Sequence, residues 1–259
     1  FFVEHKKPSG VRIMAYTTID KSSDYFNTVL YTGNGGTNNI TGLDFQPDWV
    51  WIKSRNDSAN HNLFDVVRGA TKYLKSNAIN VETTDSTSLT SFNSNGFTLG
   101  SNNDQDVNKN NDTYVSWSWK AGTSFTNDAS GTGIGSIDST GSASDTSGFS
   151  IISWSGTGST GTLKHGLSTT PSMIITKSRG SSAWCVYNKH LGNTNVLFLD
   201  TVAATSAHIA YWNNTSPTSS VFTVGSDDAV NHSGNNMIAY CFAEKKGYSK
   251  FGSYTGNGN

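Results

Sequence analysis

The sequence predicts an all-β protein made of two tandem antiparallel β-sandwich repeats, and three observations carry that prediction. Gly, Ser, Thr and Asn make up 121 of the 259 residues, while Glu and Met occur only three times each, so turn and strand residues dominate and helix formers are scarce. Seven Trp, ten Tyr and thirteen Phe supply the bulky apolar surface that disordered, polar chains lack. The third observation is that the sequence repeats itself.

GLDFQPDWVWIKSR at 42–55 matches GLSTTPSMIITKSR at 166–179, an offset of 124 that brings Gly42, Pro47 and Lys53-Ser54-Arg55 onto Gly166, Pro171 and Lys177-Ser178-Arg179. YTGNGG at 31–36 answers WSGTGS at 154–159, GFTLGS at 96–101 answers VFTVGS at 221–226, and YVSWSW at 114–119 answers MIAYCF at 237–242. KFGSYTGNGN at 250–259 returns to the opening motif. The expected organisation is a leader at 1–14, a first sandwich at 15–122, a Gly/Ser/Thr-rich linker at 123–147, a second sandwich at 148–247 and the start of a third repeat at 248–259. Met14 is the expected natural start, because the thirteen residues before it differ in composition from the rest.

Each repeat of about 100 residues reads as short strands between Gly, Asn, Asp and Pro punctuation, which is the density of a sandwich. In the first copy strands are expected at 28–32, 49–54, 62–67, 88–92, 96–99 and 113–120, with Asn93-Ser94-Asn95-Gly96 as a hairpin turn. The linker lacks periodicity, apart from one short strand expected at Gly135 to Asp138. Along the last strand, alternation places Val115, Trp117 and Trp119 on one face, against Ile238, Tyr240 and Phe242 in the second copy. Trp49 and Trp51 become Met173 and Ile175, so size and apolarity persist while identity does not, which suits a packed core better than a stacking platform for sugars.

A formal charge of -1 offers no footprint for nucleic acid or for an anionic membrane surface. The chain has neither an apolar run long enough to span a bilayer nor the apolar core of a signal peptide near its start. Two cysteines, Cys185 and Cys241, cannot make a disulfide framework and are expected to be reduced and buried.

Gly156-Thr-Gly158-Ser-Thr-Gly161 spells a dinucleotide fingerprint but leads into more turn residues rather than a helix, and reads as a strand-joining turn. Glu82 and Glu244 have no second acid at strand spacing, which argues against a glycosidase pair. His61, His165, His190, His208 and His232 lie in separate segments, without the spacing of zinc ligands. The best cofactor candidate is calcium, held by Asp104, Asp106, Asn108 and Asp112, whose alternating oxygens could wrap a hard cation; the same stretch is also an ordinary solvated loop. Lys53, Arg55, Lys177 and Arg179 are expected to pair with nearby acids such as Asp65.

The ordered motifs YTGNGG, GLDFQPDWVWIKSR, LFDVVRGATKYLKSN, LTSFNSNGFTLGS and TYVSWSWKAG, with their counterparts in the second copy, resemble a repeated domain of unknown function in virion and tail-fibre-like proteins of marine bacteriophages. The resemblance covers nearly everything from Met14 to Asn259. It implies a concanavalin-like or related, jelly-roll-like β-sandwich with no assigned catalytic residues. It also implies a non-enzymatic virion structural protein, made in the host cytoplasm, that assembles with other virion subunits or copies of itself and touches the host surface. The alternative is a lectin-like module that binds host surface glycans.

Overall fold

In the computed structural model, which describes residues 17–258, strands form where apolar and polar residues alternate between glycine- and asparagine-rich turns. The leader expected at 1–14 lies outside the described residues. The first repeat contains β1 (Phe26–Thr32), β2 (Asn38–Thr41), β3 (Trp49–Ser54), β4 (His61–Asp65), β5 (Lys72–Lys75), β6 (Thr83–Thr84), β7 (Leu89–Asn93), β8 (Gly96–Leu99) and β9 (Thr113–Trp119). They make an antiparallel sheet of order β1-β9-β3-β4-β5-β6 and a smaller one of order β2-β8-β7. Asn93 pairs with Gly96 across the tight hairpin of β7 and β8, as the turn residues there predict.

Residues 123–147 are not a structureless linker. They carry β10 (Thr123–Asn127), the one-turn helix α1 (Ala129–Thr132) and β11 (Ser139–Ser144), whereas Gly135 to Asp138 contains no strand. The segment gives no periodicity because its residues are small on both faces; the exposed edge of the next strand supplies the hydrogen-bond ladder that orders it.

The second repeat follows as β12 (Phe149–Ser155), β13 (Gly161–Lys164), β14 (Met173–Ser178), β15 (Trp184–Asn188), β16 (Asn195–Phe198), β17 (Ser206–Ala207), α2 (Ile209–Trp212), β18 (Val221–Val224), α3 (Asp228–Asn231) and β19 (Asn236–Phe242). Its large sheet runs β10-β11-β12-β19-β14-β15-β16-β17 and its small one pairs β13 with β18. Beyond the two added edge strands, the order is that of the first repeat. Register agrees as well: Trp49 pairs with Trp119 and Trp51 with Trp117, while Met173 pairs with Phe242 and Ile175 with Tyr240. The short helix α2 stands where the first copy has β7 and buries Trp212.

Three cores result. Val50, Ile52, Phe64 and Tyr114 of the first large sheet meet Ile40, Leu89, Phe97 and Leu99 of its small sheet. In the second copy Ile152, Ile174, Met237 and Cys241 meet Leu163, Phe222 and Val224. The third core lies between the repeats: Trp49, Leu63 and Leu74 on the outer face of the first large sheet pack against Ile151, Ile175, Val186 and Tyr240 on the outer face of the second. Four layers therefore stack in the order small, large, large, small, and the two sandwiches form one body.

This third core corrects the placing of the tryptophans. On β9 the residues aimed into the first sandwich are Tyr114, Ser116 and Ser118, whereas Val115, Trp117 and Trp119 are half-buried on the outer face. Trp49 is buried, stacking within 4.3 Å of Tyr240 and 4.4 Å of Trp119. The aromatic residues are core, but largely the core that joins the two copies.

A buried polar network crosses the same joint. Asp65 accepts from Arg68, Tyr240 Oη donates to Asp65 Oδ2 at 2.7 Å, and Arg68 Nη2 donates to the Leu63 carbonyl at 2.8 Å. Glu82 lies 3.3 Å from Arg68 Nη1 and accepts two bonds from Arg179 of the other copy, at 2.9 and 2.6 Å. Burial pushes the Tyr240 phenol well above its usual range, so it stays a donor.

Candidate functional site

The loop expected to hold calcium joins β8 to β9, and its four residues serve different partners. Asp104 Oδ1 accepts from the Asp106 amide at 2.8 Å, Asp106 Oδ1 from the Asn60 amide at 2.9 Å, and Asp106 Oδ2 sits 3.0 Å from Lys75 Nζ. Asp112 Oδ1 accepts from Asn56 at 3.2 Å, and its other oxygen lies 3.4 Å from Lys109 Nζ. Among the described residues no group of three or more His, Cys, Asp or Glu is arranged to hold a metal ion. Asp104 thus serves the loop itself, whereas Asp106 and Asp112 tie it to the residues around β4 and β5 and the turn after β3.

Asn108 has a different task. Fully buried, it accepts from the Asn34 amide at 3.2 Å and donates to the Gly36 carbonyl at 2.7 Å. Asn231 does the same in the second copy, accepting from the Thr157 amide at 3.0 Å and donating to the Ser159 carbonyl at 2.7 Å. Each asparagine pins the glycine loop that opens its repeat. The loop approaches closely: a Cβ on Gly33 would lie 2.2 Å from the Lys109 carbonyl oxygen, and one on Gly156 2.0 Å from that of His232. The first glycine of each G-x-G is thus a packing requirement, and the second, Gly35 or Gly158, takes a φ of +67° or +68° that favours glycine.

In the Lys-Ser-Arg triplets Arg179 pairs with an acid, Glu82, as expected, while the two lysines do not. Lys53 Nζ donates to the carbonyls of Ser54 and Asp57 at 2.6 and 2.9 Å, and Lys177 Nζ to those of Ser178 and Gly180 at 2.6 and 2.8 Å. The lysines cap their own strand ends instead of pairing with acids. Burial lowers Lys177 to about 8, with Asp200 opposing that shift. Asp65 is taken by Arg68, and Arg179 by Glu82. Both cysteines are buried and free, and burial pushes the Cys241 thiol up to about 12, which leaves it a packing group.

Two concave surfaces lie along the joint between the sandwiches. One is an aromatic cleft of about 340 Å³ whose walls include Phe26, Trp49 and Trp119 of the first copy, Phe149 and Phe242 of the second, and Phe251 beyond β19. Phe251 is held there by its amide, which donates to Glu244 at 3.0 Å, and by His190, 2.8 Å from its carbonyl. Next to the cleft on the first sheet, Trp117 and Trp51 pack edge to face at 6.3 Å, and Trp51 Nε1 donates to His61 at 2.9 Å. Both are half-buried, whereas their counterparts Tyr240 and Ile175 are covered. At these two positions the open side of the joint carries tryptophan and the covered side a smaller residue, while Trp49 and Trp184 are buried within the joint itself. The other concave surface is polar, on the side of Asp48, whose Oδ2 accepts from the amides of Ala121 and Gly122 at 2.7 and 2.9 Å. Burial raises the Asp48 carboxyl above its usual range, opposed by those amides.

Sequence reading singled out the tryptophans but missed the clefts, because neither cleft exists in one repeat alone. The signal available was the replacement of Trp49 and Trp51 by smaller residues in the second copy. No curated protein and no solved structure matches the chain. One family model spans both sandwiches and the segment between them, residues 21–259. The chain belongs to that family, a domain of unknown function designated DUF7483.

Proposed function

We propose that this chain is a non-enzymatic structural and adhesion module of a virion, tail-fibre-like, that contacts the host surface. The observation that carries the reading is the third core: face-to-face packing of two sandwiches through Trp49, Leu63, Ile175 and Tyr240 makes a stiff unit, as a surface-projecting assembly requires. The resemblance of the ordered motifs to phage virion repeats supplies the setting. Mass spectrometry of purified particles tests it, with peptides from both repeats expected; their absence from particles refutes the structural role.

A second reading, a lectin-like carbohydrate-binding module, is favoured by the clefts at the joint. Partly exposed Trp51 and Trp119 in the wall of the aromatic cleft, with partly exposed Trp117 against Trp51, offer aromatic surface on which apolar sides of sugar rings stack. A glycan array probed with the full chain separates the readings. Specific hits support recognition of sugars, and a blank array leaves the structural role alone.

A further inference from the structure

The polar concavity on the Asp48 side has a construction of its own. β10 and β11 pair with Ser124 opposite Ser142 and Thr126 opposite Thr140, so four hydroxyl residues line one face of this two-stranded edge. Thr140 and Ser142 pair in turn with Ser153 and Ile151 of β12. Ile151 belongs to the core between the repeats, so the hydroxyl face continues the packed face of the second sheet beyond the first repeat's coverage. Across from it stand Gln46, Asp48, Val66 and Val67 of the first repeat, enclosing about 600 Å³.

A second cavity of about 380 Å³ adjoins the first, and both include Thr126 and Thr140 in their walls. The two therefore form one trough along the strands. From Asp138 to Ser142 it extends about 13 Å at the usual strand rise, room for a short run of sugar rings. The walls carry the carboxylates of Asp48, Asp128 and Asp138 and no Lys, Arg or His.

We propose that this trough binds a short segment of a neutral polysaccharide. A chain of hydroxyl-bearing rings both donates and accepts, and the trough answers with serine and threonine hydroxyls, the Gln46 amide and carboxylates that accept only. Val66 and Val67 give the apolar faces of the rings somewhere to rest. Lys120 acts on Asp48 from outside the walls and Lys164 Nζ lies 5.2 Å from the Phe125 ring, but the three carboxylates that line the trough outnumber them and repel uronate- or sulfate-bearing glycans. The proposal rests on the carbohydrate reading above and names its site and its class of sugar.

Native-gel mobility of the full chain in gels containing dextran, mannan, galactan or alginate tests it. Retardation by at least one neutral polymer and none by alginate is expected. Thr140→Arg and Ser124→Arg replace exposed residues, so they leave folding intact by circular dichroism and weaken binding at least tenfold. Thr205→Arg, an exposed position outside both clefts, adds the same charge and leaves binding within twofold. Retardation by alginate overturns the proposal. So does binding that survives Thr140→Arg but is lost in Phe251→Ala, which would place the sugar in the aromatic cleft and keep the carbohydrate reading. No retardation in any gel overturns both.

Discussion

Two asparagines show how much structure one buried amide can hold. Asn231 accepts from the Trp154 indole at 3.2 Å and the Thr157 amide, and donates to Thr157 Oγ1 at 2.9 Å and the Ser159 carbonyl, so its side chain is fully used. Removing it strands several buried partners. Asn231→Ala is expected to cost about 3 kcal/mol, read as a lower urea midpoint at unchanged slope. His165 sets a pH dependence. It is buried, accepts from the Leu167 amide at 3.2 Å through Nδ1, and lies 3.2 Å from the Thr218 carbonyl through Nε2. Burial lowers its pKa from 6.5 to about 4, opposed by the Thr218 carbonyl. The unfolded chain therefore takes a proton that the folded one refuses, and stability falls as pH drops from 6.5 to 4, by about 3 kcal/mol at most. Urea midpoints at pH 7 and pH 4.5 should diverge less in His165→Gln than in the parent chain. Equal divergence would assign the acid sensitivity elsewhere.

The elements divide into those the sequence announces and those it conceals. β3, with its Trp-Val-Trp-Ile run, and the β7–β8 hairpin, with its Asn-Gly turn, carry their pattern openly and appear where the residues predict them. β5 and β6 were not legible: Lys72–Lys75 alternates weakly, and Thr83–Thr84 is two residues long. β10 and β11 were concealed for another reason, since their small residues lack contrast and only pairing with β12 orders them. Phe125 is their apolar tether, half-buried against the second core with Lys164 Nζ 5.2 Å from its ring. Phe125→Ala is expected to loosen this edge locally, with amide exchange rising across 123–144 and little change in β14 or β19. The candidate sites were legible as residue types only. Trp49, Trp51 and Asp48 are visible in the sequence, but the surfaces they line come from contact between segments a hundred residues apart.

For the whole molecule, the third core decides what can be separated. Residues 21–122 alone would expose Leu63, Leu74 and Trp49, and residues 148–247 alone would expose Ile151, Ile175 and Tyr240, which are buried in the intact chain. Such apolar faces drive association. Each half expressed alone should bind more of a hydrophobic dye than the intact chain, or aggregate, whereas the intact chain should unfold in one transition. Two separate transitions in the intact chain would contradict the fused core. Arg68→Met leaves Asp65 and Glu82 without their shared cation and is expected to cost about 4 kcal/mol, measured by urea unfolding followed through tryptophan fluorescence.

The ion network at the joint gives the duplication a direction. Asp65, Arg68 and Glu82 come from the first copy, and Tyr240 and Arg179 from the second. Their counterparts in the other copy, 123 or 124 residues away, are Asn188, Leu191, Thr205, Trp117 and Arg55, a set that cannot build the same network. The two copies meet through the same outer face, with Leu63 and Val186, and Trp49 and Met173, as counterparts in the joint, but the polar residues set into that face differ between them. The copies are related by descent but are not interchangeable: a chain encoding them in reverse order would keep every strand and lose the lock between them.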